Sequence, residues 1–550
     1  MKRILTLSLL ASSVLLAATP NIGDIEKQVQ PPKDLPKEVT PLVEIGGVQK
    51  YAPPMQDDKS GKSIAVKSFK ITGAIHITEA KLQTLISAYS NKDLNFQQLQ
   101  EVASIVTKEY RNQGYFVARA YLPVQNIEEN NGVITIAIIE GNYGKFDLKN
   151  NSLVKDSVVQ GMLDDAKRDN IVSTNTLERA MLIINDTAGV KVTVADVKPG
   201  SEVGTSDFAI QTEATSAYSG YILADNYGSR YTGKNRLMAG MSFNSLAGIG
   251  DKLTISGLVS NGADLKNGRV GYLVPLMPNG LTGEVGYSQT AYSLTDKYES
   301  LDAIGDSKTI DATLTYPIIR TRLETLKISS TLSSKDMKDE QASATTTNKD
   351  ITSLNVALTH SKNQKIFGVD AVVNSNLTLT TGKLEESINN VSQRYNKLDG
   401  YINSSLALSN EYTLSTNLSF QKDLSSKNLD GSEDMSIGGS NGVKVFPDGE
   451  LSAENGLLLN LELFKTLPSY SKLSHKLGFF YDIGRATMED SSTDLTFEKR
   501  TLQDAGIGYY ASYDSFFAKA QLARVVGGQQ IENENVGNTT RLLVQAGFSF

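Results

Sequence analysis

The run YTLSTNLSF, Tyr412–Phe420, sets Tyr412, Leu414, Leu418 and Phe420 against Thr413, Ser415, Asn417 and Ser419. Successive strand residues point to opposite faces, so this run predicts a β-strand with one apolar and one polar side. The pattern recurs from about residue 215 onward. Leu253, Ile255 and Val259 alternate with Thr254 and Ser256, and Leu354, Val356 and Leu358 with Asn355, Ala357 and Thr359. Ala518, Ala520 and Leu522 alternate with Lys519 and Gln521. The chain ends RLLVQAGFSF, with Leu542, Val544, Phe548 and Phe550 on one face. Turns rich in Gly, Asn, Asp and Ser separate the runs.

A soluble β-sandwich or β-helix would also alternate. Three observations favour a membrane barrel: an export signal at the N-terminus, the length of residues 215–550, and an almost wholly polar face opposite the apolar one. A transmembrane β-strand needs about 9–11 residues with apolar-out, polar-in alternation, and about 16 antiparallel strands fit this length.

The N-terminus reads MKRILTLSLLASSVLLAATP. Lys2 and Arg3 form a positive region, Ile4 to Leu16 an apolar one, and Ala17-Ala18 a small-residue exit, which predicts a signal peptide over residues 1–18. A membrane anchor is the alternative, but the run is shorter than the roughly 20 residues that a spanning helix needs. Residues 19–63 follow as a short polar helix, NIGDIEKQVQ, and an extended Pro-rich linker.

Between linker and barrel the periodicity is helical. Residues 64–141 read β-α-α-β-β. IAVKSFKITG is a strand, and Thr78 opens a helix with Leu82, Leu85, Ile86 and Tyr89 inward. Asn95 with Gln98 forms a capping box for a second helix carrying Leu99, Val102, Val106 and Tyr110, which Gly114 stops. YFVARAYLPV and GVITIAIIEG are strands. Residues 142–214 repeat the order more weakly. KFDLKN is a strand, a helix spans Ser157 to Ala166, and Asn175 with Glu178 opens another carrying Leu177, Met181 and Ile184. VKVTVADVK and DFAIQTEA close the unit, so tandem small α+β domains are expected.

Charged residues are 21% and net charge is −7, which argues against a broad nucleic-acid surface. There is no Cys, which excludes thiolate sites and disulfides. His76, His360 and His475 lack metal-ligand spacing, and no P-loop occurs. GGSNG, Gly438–Gly442, fits a nucleophile elbow around Ser440, but an elbow turns into a helix and VKVFPDGE follows instead. Asp164-Asp165 and Glu128-Glu129 read as solvated faces. No catalytic residue, metal or cofactor is expected.

At YRNQGYFVARAYLPVQ, Tyr110–Gln125, the chain resembles the two-partner secretion transporters, the TpsB proteins of the ShlB/FhaC/HecB family. These join periplasmic POTRA domains to an outer-membrane barrel. Gly114, Tyr115, Ala118, Arg119, Leu122 and Pro123 match the POTRA signature. LADNYGSRYTGKNRL (Leu223–Leu237), GIGDKL (Gly248–Leu253), YLVPLMPNGLTGEVGYSQTAY (Tyr272–Tyr292) and LTYPIIRTR (Leu314–Arg322) resemble the opening barrel strands in co-linear order. The resemblance makes residues 64–141 and 142–214 two POTRA domains, 215–550 the barrel, and NIGDIEKQVQ a plug helix. Phe548 and Phe550 match the aromatic ending that serves as a barrel-assembly signal.

It also gives a reading of NGVKVFPDGELSAENG, Asn441–Gly456, as the long sixth loop that folds back into the lumen. The family tip is Val-Arg-Gly-Tyr or Val-Arg-Ala-Tyr, often followed by Pro. Here Val443, Lys444, Val445, Phe446 and Pro447 stand there, so the arginine has become lysine and the tyrosine phenylalanine. The family arginine pairs with the aspartate of an Asp-x-Gly on the barrel wall, matched by Asp482 and Gly484 in LGFFYDIG. Strand phase agrees independently: with Leu477, Phe479 and Tyr481 toward lipid, Asp482 faces inward. Lysine keeps the charge and loses the planar bidentate fork.

The implied function is export of one TpsA-type partner, a haemolysin or adhesin, caught by the POTRA domains and driven outward by its own folding. Barrel-assembly machinery, periplasmic chaperones and outer-membrane lipid are implied partners, with no nucleic acid. The alternatives are a general barrel-assembly insertase and, from another class, a hydrolase built on Ser440.

Overall fold

The structure, a computed structural model, describes residues 20–29, 45–47, 63–126, 129–490, 497–532, 534 and 537–550. The expected signal peptide and most of the expected linker lie outside these residues. Helix α1 (Ile22–Glu26) and strand β1 (Ile45–Gly47) come first. β1 falls inside the segment read as linker.

The first module contains β2 (Ile64–Val66), β3 (Ser68–Thr72), α2 (Glu79–Ile86), β4 (Lys92–Leu94), α3 (Phe96–Asn112), β5 (Arg119–Tyr121) and β6 (Val133–Ile139). β3 runs parallel to β6 and β5 antiparallel to it, while β2 and β4 make a separate pair. The capping box forms: the Asn95 side chain accepts from Gln98 N–H, and Gln98 accepts from Asn95 N–H. Thr78 sits at the N-cap of α2 without a side-chain cap bond. Leu85, expected inward, is exposed, because the eight-residue α2 turns only Leu82 and Ile86 into the core. The strand expected over Tyr115–Val124 shrinks to three residues, with Ala118 bonded back to Tyr115 and Pro123 lacking a donor beyond it. Glu140 is buried at the module's base. Burial would raise its carboxyl, but bonds from His76, Ile75 and Tyr110 outweigh that and hold it below the ordinary glutamate range.

The second module repeats the order with β7 (Asn142–Asn151), α4 (Asp156–Asp165), α5 (Thr174–Asp186), β8 (Lys191–Pro199) and β9 (Thr205–Glu213). The N-cap of α5 is Ser173, whose hydroxyl accepts from Thr176 N–H at 3.1 Å, and not Asn175. Glu178 therefore serves no capping box and reaches Arg322 instead, at 3.2 Å. The sheet order is β1-β8-β9-β7, so the linker strand lies on the outer edge of β8.

The barrel strands are β10 (Tyr218–Asp225), β11 (Arg236–Asn244), β12 (Lys252–Ser260), β13 (Leu265–Pro275), β14 (Thr282–Ser293), β15 (Ala303–Arg320), β16 (Glu324–Gln341) and β17 (Ala344–Ile366). β18 (Val369–Glu386), β19 (Val391–Ala407) and β20 (Tyr412–Asp423) continue it. A small hairpin, β21 (Met435–Ser436) with β22 (Ser452–Ala453), interrupts. β23 (Asn455–Thr466), β24 (Leu473–Thr487), β25 (Lys499–Tyr513), β26 (Phe516–Val525) and β27 (Thr540–Ser549) complete sixteen strands, closed by β10 against β27.

The outer surface carries Ile255, Leu354, Val356, Leu358, Phe479, Leu522 and Leu542, all exposed. So continuous an apolar belt is tolerated in lipid and not in water. The inner face is polar: Asp225, Arg236, Asp339, Gln421, Asp482 and Asp504 are buried. The closing seam is short, pairing Tyr221–Asp225 with Gln545–Ser549. The terminal aromatics lie beside it. Phe550 exchanges backbone bonds with Gly220, and the Phe548 ring lies 4.8 Å from Phe516 and 5.9 Å from Phe550.

β10 leaves the second module directly, so antiparallel order puts the β11–β12, β13–β14 and β15–β16 turns on the module side. Arg320 pairs there with Asp186 at 2.7 Å, and Arg179 donates to Pro317 O at 2.6 Å. The 424–454 loop starts from the far side.

Candidate functional site

The chain leaves β20 at the far rim, turns down into the lumen and returns to β23. β21 and β22 zip its two legs together, and its tip meets the inner wall midway along β24. Val443, Val445 and Phe446 are fully buried among Ile437, Leu458, Phe480, Leu502 and Ala523. Burying such side chains contributes about 1.5–3 kcal/mol each, so apolar packing is a large share of what seats the tip.

Lys444 points between them to the wall. Its Nζ lies 2.7 Å from Asp482 Oδ2 and 4.5 Å from the centre of the Phe480 ring. Asn460 donates to the other Asp482 oxygen at 2.8 Å and to Gly442 O at 2.9 Å. Asp482 is thereby bonded on both oxygens. Breaking a buried pair of this kind typically costs about 3–5 kcal/mol, because one charge is left without its partner.

The backbone of the tip is gripped as well. Val445 N–H donates to Asp504 Oδ2 at 2.6 Å, and Arg541 donates to Phe446 O at 2.8 Å. Arg500 pairs with Glu450 at 2.9 Å further up the loop. Asn460, Asp482 and Asp504 form one row across β23, β24 and β25 in register. Gly484 is needed for space: a Cβ there would collide with the Ile437 side chain. Gly506 does the same for Phe480, whose ring fills the place a Cβ would take.

Asp504 escaped the sequence reading. Its signal was present, since Asp504-Ala505-Gly506 is a second Asp-x-Gly on the next strand. Pro447 follows the tip, and its carbonyl lies against Gly438. Ser440 sits in the turn before Val443, with no helix after it. His475 bonds Tyr509 and Pro468 near the start of β24. Among the described residues no cluster could hold a metal ion.

Helix α1 shares the lumen. Ile22 and Ile25 are buried, and Ile22 N–H donates to Asp339 Oδ1 at 2.9 Å. Glu26 pairs with Lys335 at 3.0 Å, Arg236 donates to Gln28 O at 2.7 Å, and Thr232 donates to Gln28 Oε1 at 3.0 Å.

The signature residues of the first module lie apart from this site. Ala118 and Leu122 are buried core, Tyr115 packs on Tyr110 and His76, and Gly114 O accepts from Thr174 of the second module. Arg119 lies on β5, and Pro123 follows that strand.

A model of the haemolysin secretion/activation protein family ShlB/FhaC/HecB matches residues 204–509, and one of the ShlB-type POTRA domain matches residues 64–141. The chain belongs to this family. The transporter is an outer-membrane β-barrel with its POTRA domains in the periplasm, so the far rim faces outward. Curated relatives agree. It is 27% identical over 514 residues to the heme/hemopexin transporter protein HuxB of Haemophilus influenzae (strain 86-028NP), covering 91% of this chain and 90% of that one. It is 23% identical over 432 residues to the outer membrane transporter CdiB of Dickeya dadantii (strain 3937), covering 74% of each. The fold matches CdiB from Escherichia coli with a TM-score of 0.75 at 20% identity, over 91% of this chain and 93% of that one. BamA from Haemophilus ducreyi lacking POTRA domains 1–3 matches with a TM-score of 0.51 at 12% identity, over 88% of this chain and all of that one.

Proposed function

We propose that this transporter moves one large, unfolded exoprotein of the TpsA type, a haemolysin or adhesin, from the periplasm to the cell surface. The observation that carries this reading is the filling of the lumen. A sixteen-stranded barrel is wide enough for an extended chain, and its interior is occupied by helix α1 and by the 424–454 loop. A conduit that rests closed and opens on demand needs such occupants. The relatives' names support the class of cargo, since they include a hemolysin transporter, HpmB of Proteus mirabilis, beside HuxB and CdiB. Residues 21–30 act as the plug, residues 64–141 and 142–214 as the POTRA domains that receive the cargo, and Lys444 with Asp482 as the lock of the loop. Folding of the cargo outside supplies the drive, because the outer membrane offers no nucleotide.

Deleting residues 64–141 should abolish appearance of the exoprotein outside while the barrel still inserts, judged by heat-modifiable migration and surface labelling. Normal external levels after that deletion would remove the capture role from the first module.

A further inference from the structure

The outward faces of β13, β14, β15 and β16 change character toward the outer rim. Val270, Tyr287 and Ile310 stand in register across β13, β14 and β15 and are exposed to lipid. Four residues further along each strand the row reads Lys266, Ala291 and Asp306, continued by Lys338 on β16. Four residues advance a strand by about 13 Å, or about 10 Å of height at the usual barrel tilt, so this row lies above the acyl chains among the headgroups. A pocket of about 340 Å³ opens there on the outside of the barrel. The short side chains of Ala291 and Ser293 on β14 leave its space, with Lys266 on one side and Asp306, Lys338 and Glu340 on the other. The charges are mixed. Lys266 is exposed and has no ion-pair partner among the described residues, Lys338 bonds Glu340 on its own strand, and Lys308 lies 3.5 Å from Asp306 one step below. Two ammonium groups suit a phosphate, whereas carboxylates repel one and suit hydroxyl groups that donate to them. The set together fits a phosphorylated sugar, and its place on the lipid-facing wall fits a sugar that carries acyl chains.

We propose that this pocket holds the phosphorylated sugar headgroup of an outer-leaflet glycolipid. The phosphate sits on Lys266 and Lys338, sugar hydroxyls donate to Asp306 and Glu340, and the acyl chains run down over Tyr287 and Ile310. The proposal needs the outer-membrane placement of the barrel and is independent of what the transporter exports. The lumenal side of the same strands seats helix α1. Tyr292, between Ala291 and Ser293, donates to Asp339 Oδ1 at 2.7 Å, and Asp339 accepts from Ile22 N–H at 2.9 Å. A headgroup bound outside therefore braces the strands against which α1 rests inside.

The test titrates the full-length transporter, in detergent micelles, with lipid A, a diphosphorylated and acylated glucosamine disaccharide. Binding is read by native mass spectrometry and by the unfolding temperature, which a ligand of the folded state raises. Lipid A should stay bound and shift unfolding upward. Removing both phosphates from the lipid should weaken binding about ten-fold or more, and so should Lys266→Gln combined with Lys338→Gln. Ala291→Phe keeps every charge and fills the space between the lysines, so it should lose binding as well, and it serves where the double variant does not fold. Lys362→Gln, near the periplasmic end of β17, should bind as the wild type does. Neither inorganic phosphate nor phosphatidylglycerol at equal concentration should displace the lipid. Displacement by inorganic phosphate would reduce the pocket to a site for any free anion, and displacement by phosphatidylglycerol to a place for any anionic lipid. Either result would overturn the proposal. So would undiminished binding to Ala291→Phe and to the double lysine variant, or no binding of lipid A to the wild type.

Discussion

Helix α1 and the 424–454 loop both occupy the lumen, and the wall holds them by different means. α1 buries two large apolar side chains, Ile22 and Ile25, and is otherwise held by polar contacts: Glu26 to Lys335, Arg236 to Gln28 O, Asp339 to Ile22 N–H. At five residues it is far below the roughly 12–15 that an isolated helix needs, so its conformation depends on the lumen around it. The loop is fixed at both ends by β20 and β23, zipped by its own hairpin, and seats Val443, Val445 and Phe446 in an apolar cluster around one ion pair. Polar contacts exchange for water at small net cost, while buried apolar surface does not. On the proposed export reading, the helix is the part that leaves and the loop the part that stays.

The largest break in that contrast should come from Gly484→Val. The new side chain takes the space of Ile437, and overpacking typically costs about 1–3 kcal/mol or more. The loop should unseat, seen as protease cleavage near residues 441–449 in intact cells, with secretion lost. Full protection at those residues would show that the loop does not depend on this contact.

Removing residues 21–30 should leave the loop seated and open the pore. Conductance in planar bilayers should rise several-fold, because the lumen loses an entire occupant, while secretion survives. Unchanged conductance would mean that α1 does not limit the pore. Lys335→Met should produce a fraction of that effect. It removes the partner of Glu26, a partly buried pair, and leaves the Asp339 and Arg236 contacts in place. The expected readout is more frequent brief openings, with no change in the size of the fully open state.

Alternation in the sequence was enough for the barrel, because a strand between lipid and lumen must repeat with period two. It was also enough to aim Asp482 inward. Local capping rules placed α3, where Asn95 and Gln98 satisfy each other, but misplaced the start of α5. Ser173, two residues before Asn175, captures the N–H of Thr176, and Glu178 is diverted to Arg322 on the barrel rim. That rim contact crosses about 140 residues of sequence and leaves no local pattern. Asp504 was passed over although Asp504-Ala505-Gly506 repeats the Asp-x-Gly, because it accepts from the backbone of Val445, and a backbone donor gives the aspartate no partner residue type to match. β1 was missed for a related reason. Two of the three residues of Ile45-Gly46-Gly47 are glycine, which is depleted in strands, and the pairing is to the β8 edge.

Lys444 and Asp482 hold the tip of the loop to the wall, where the family pattern has an arginine in place of the lysine. A double-mutant cycle on secretion tests it most directly, using Lys444→Ala, Asp482→Ala and both together, with cross-linking of Lys444→Cys to Asp482→Cys in a chain free of native Cys. Because apolar packing remains, either single change should loosen the tip and impair secretion without preventing barrel assembly, and the double variant should be little worse than either one. Lys444→Arg should retain function, since guanidinium can bond both carboxylate oxygens. Fully additive losses together with no cross-link would show that the two residues do not meet in the working transporter, and the account of the lock would fall.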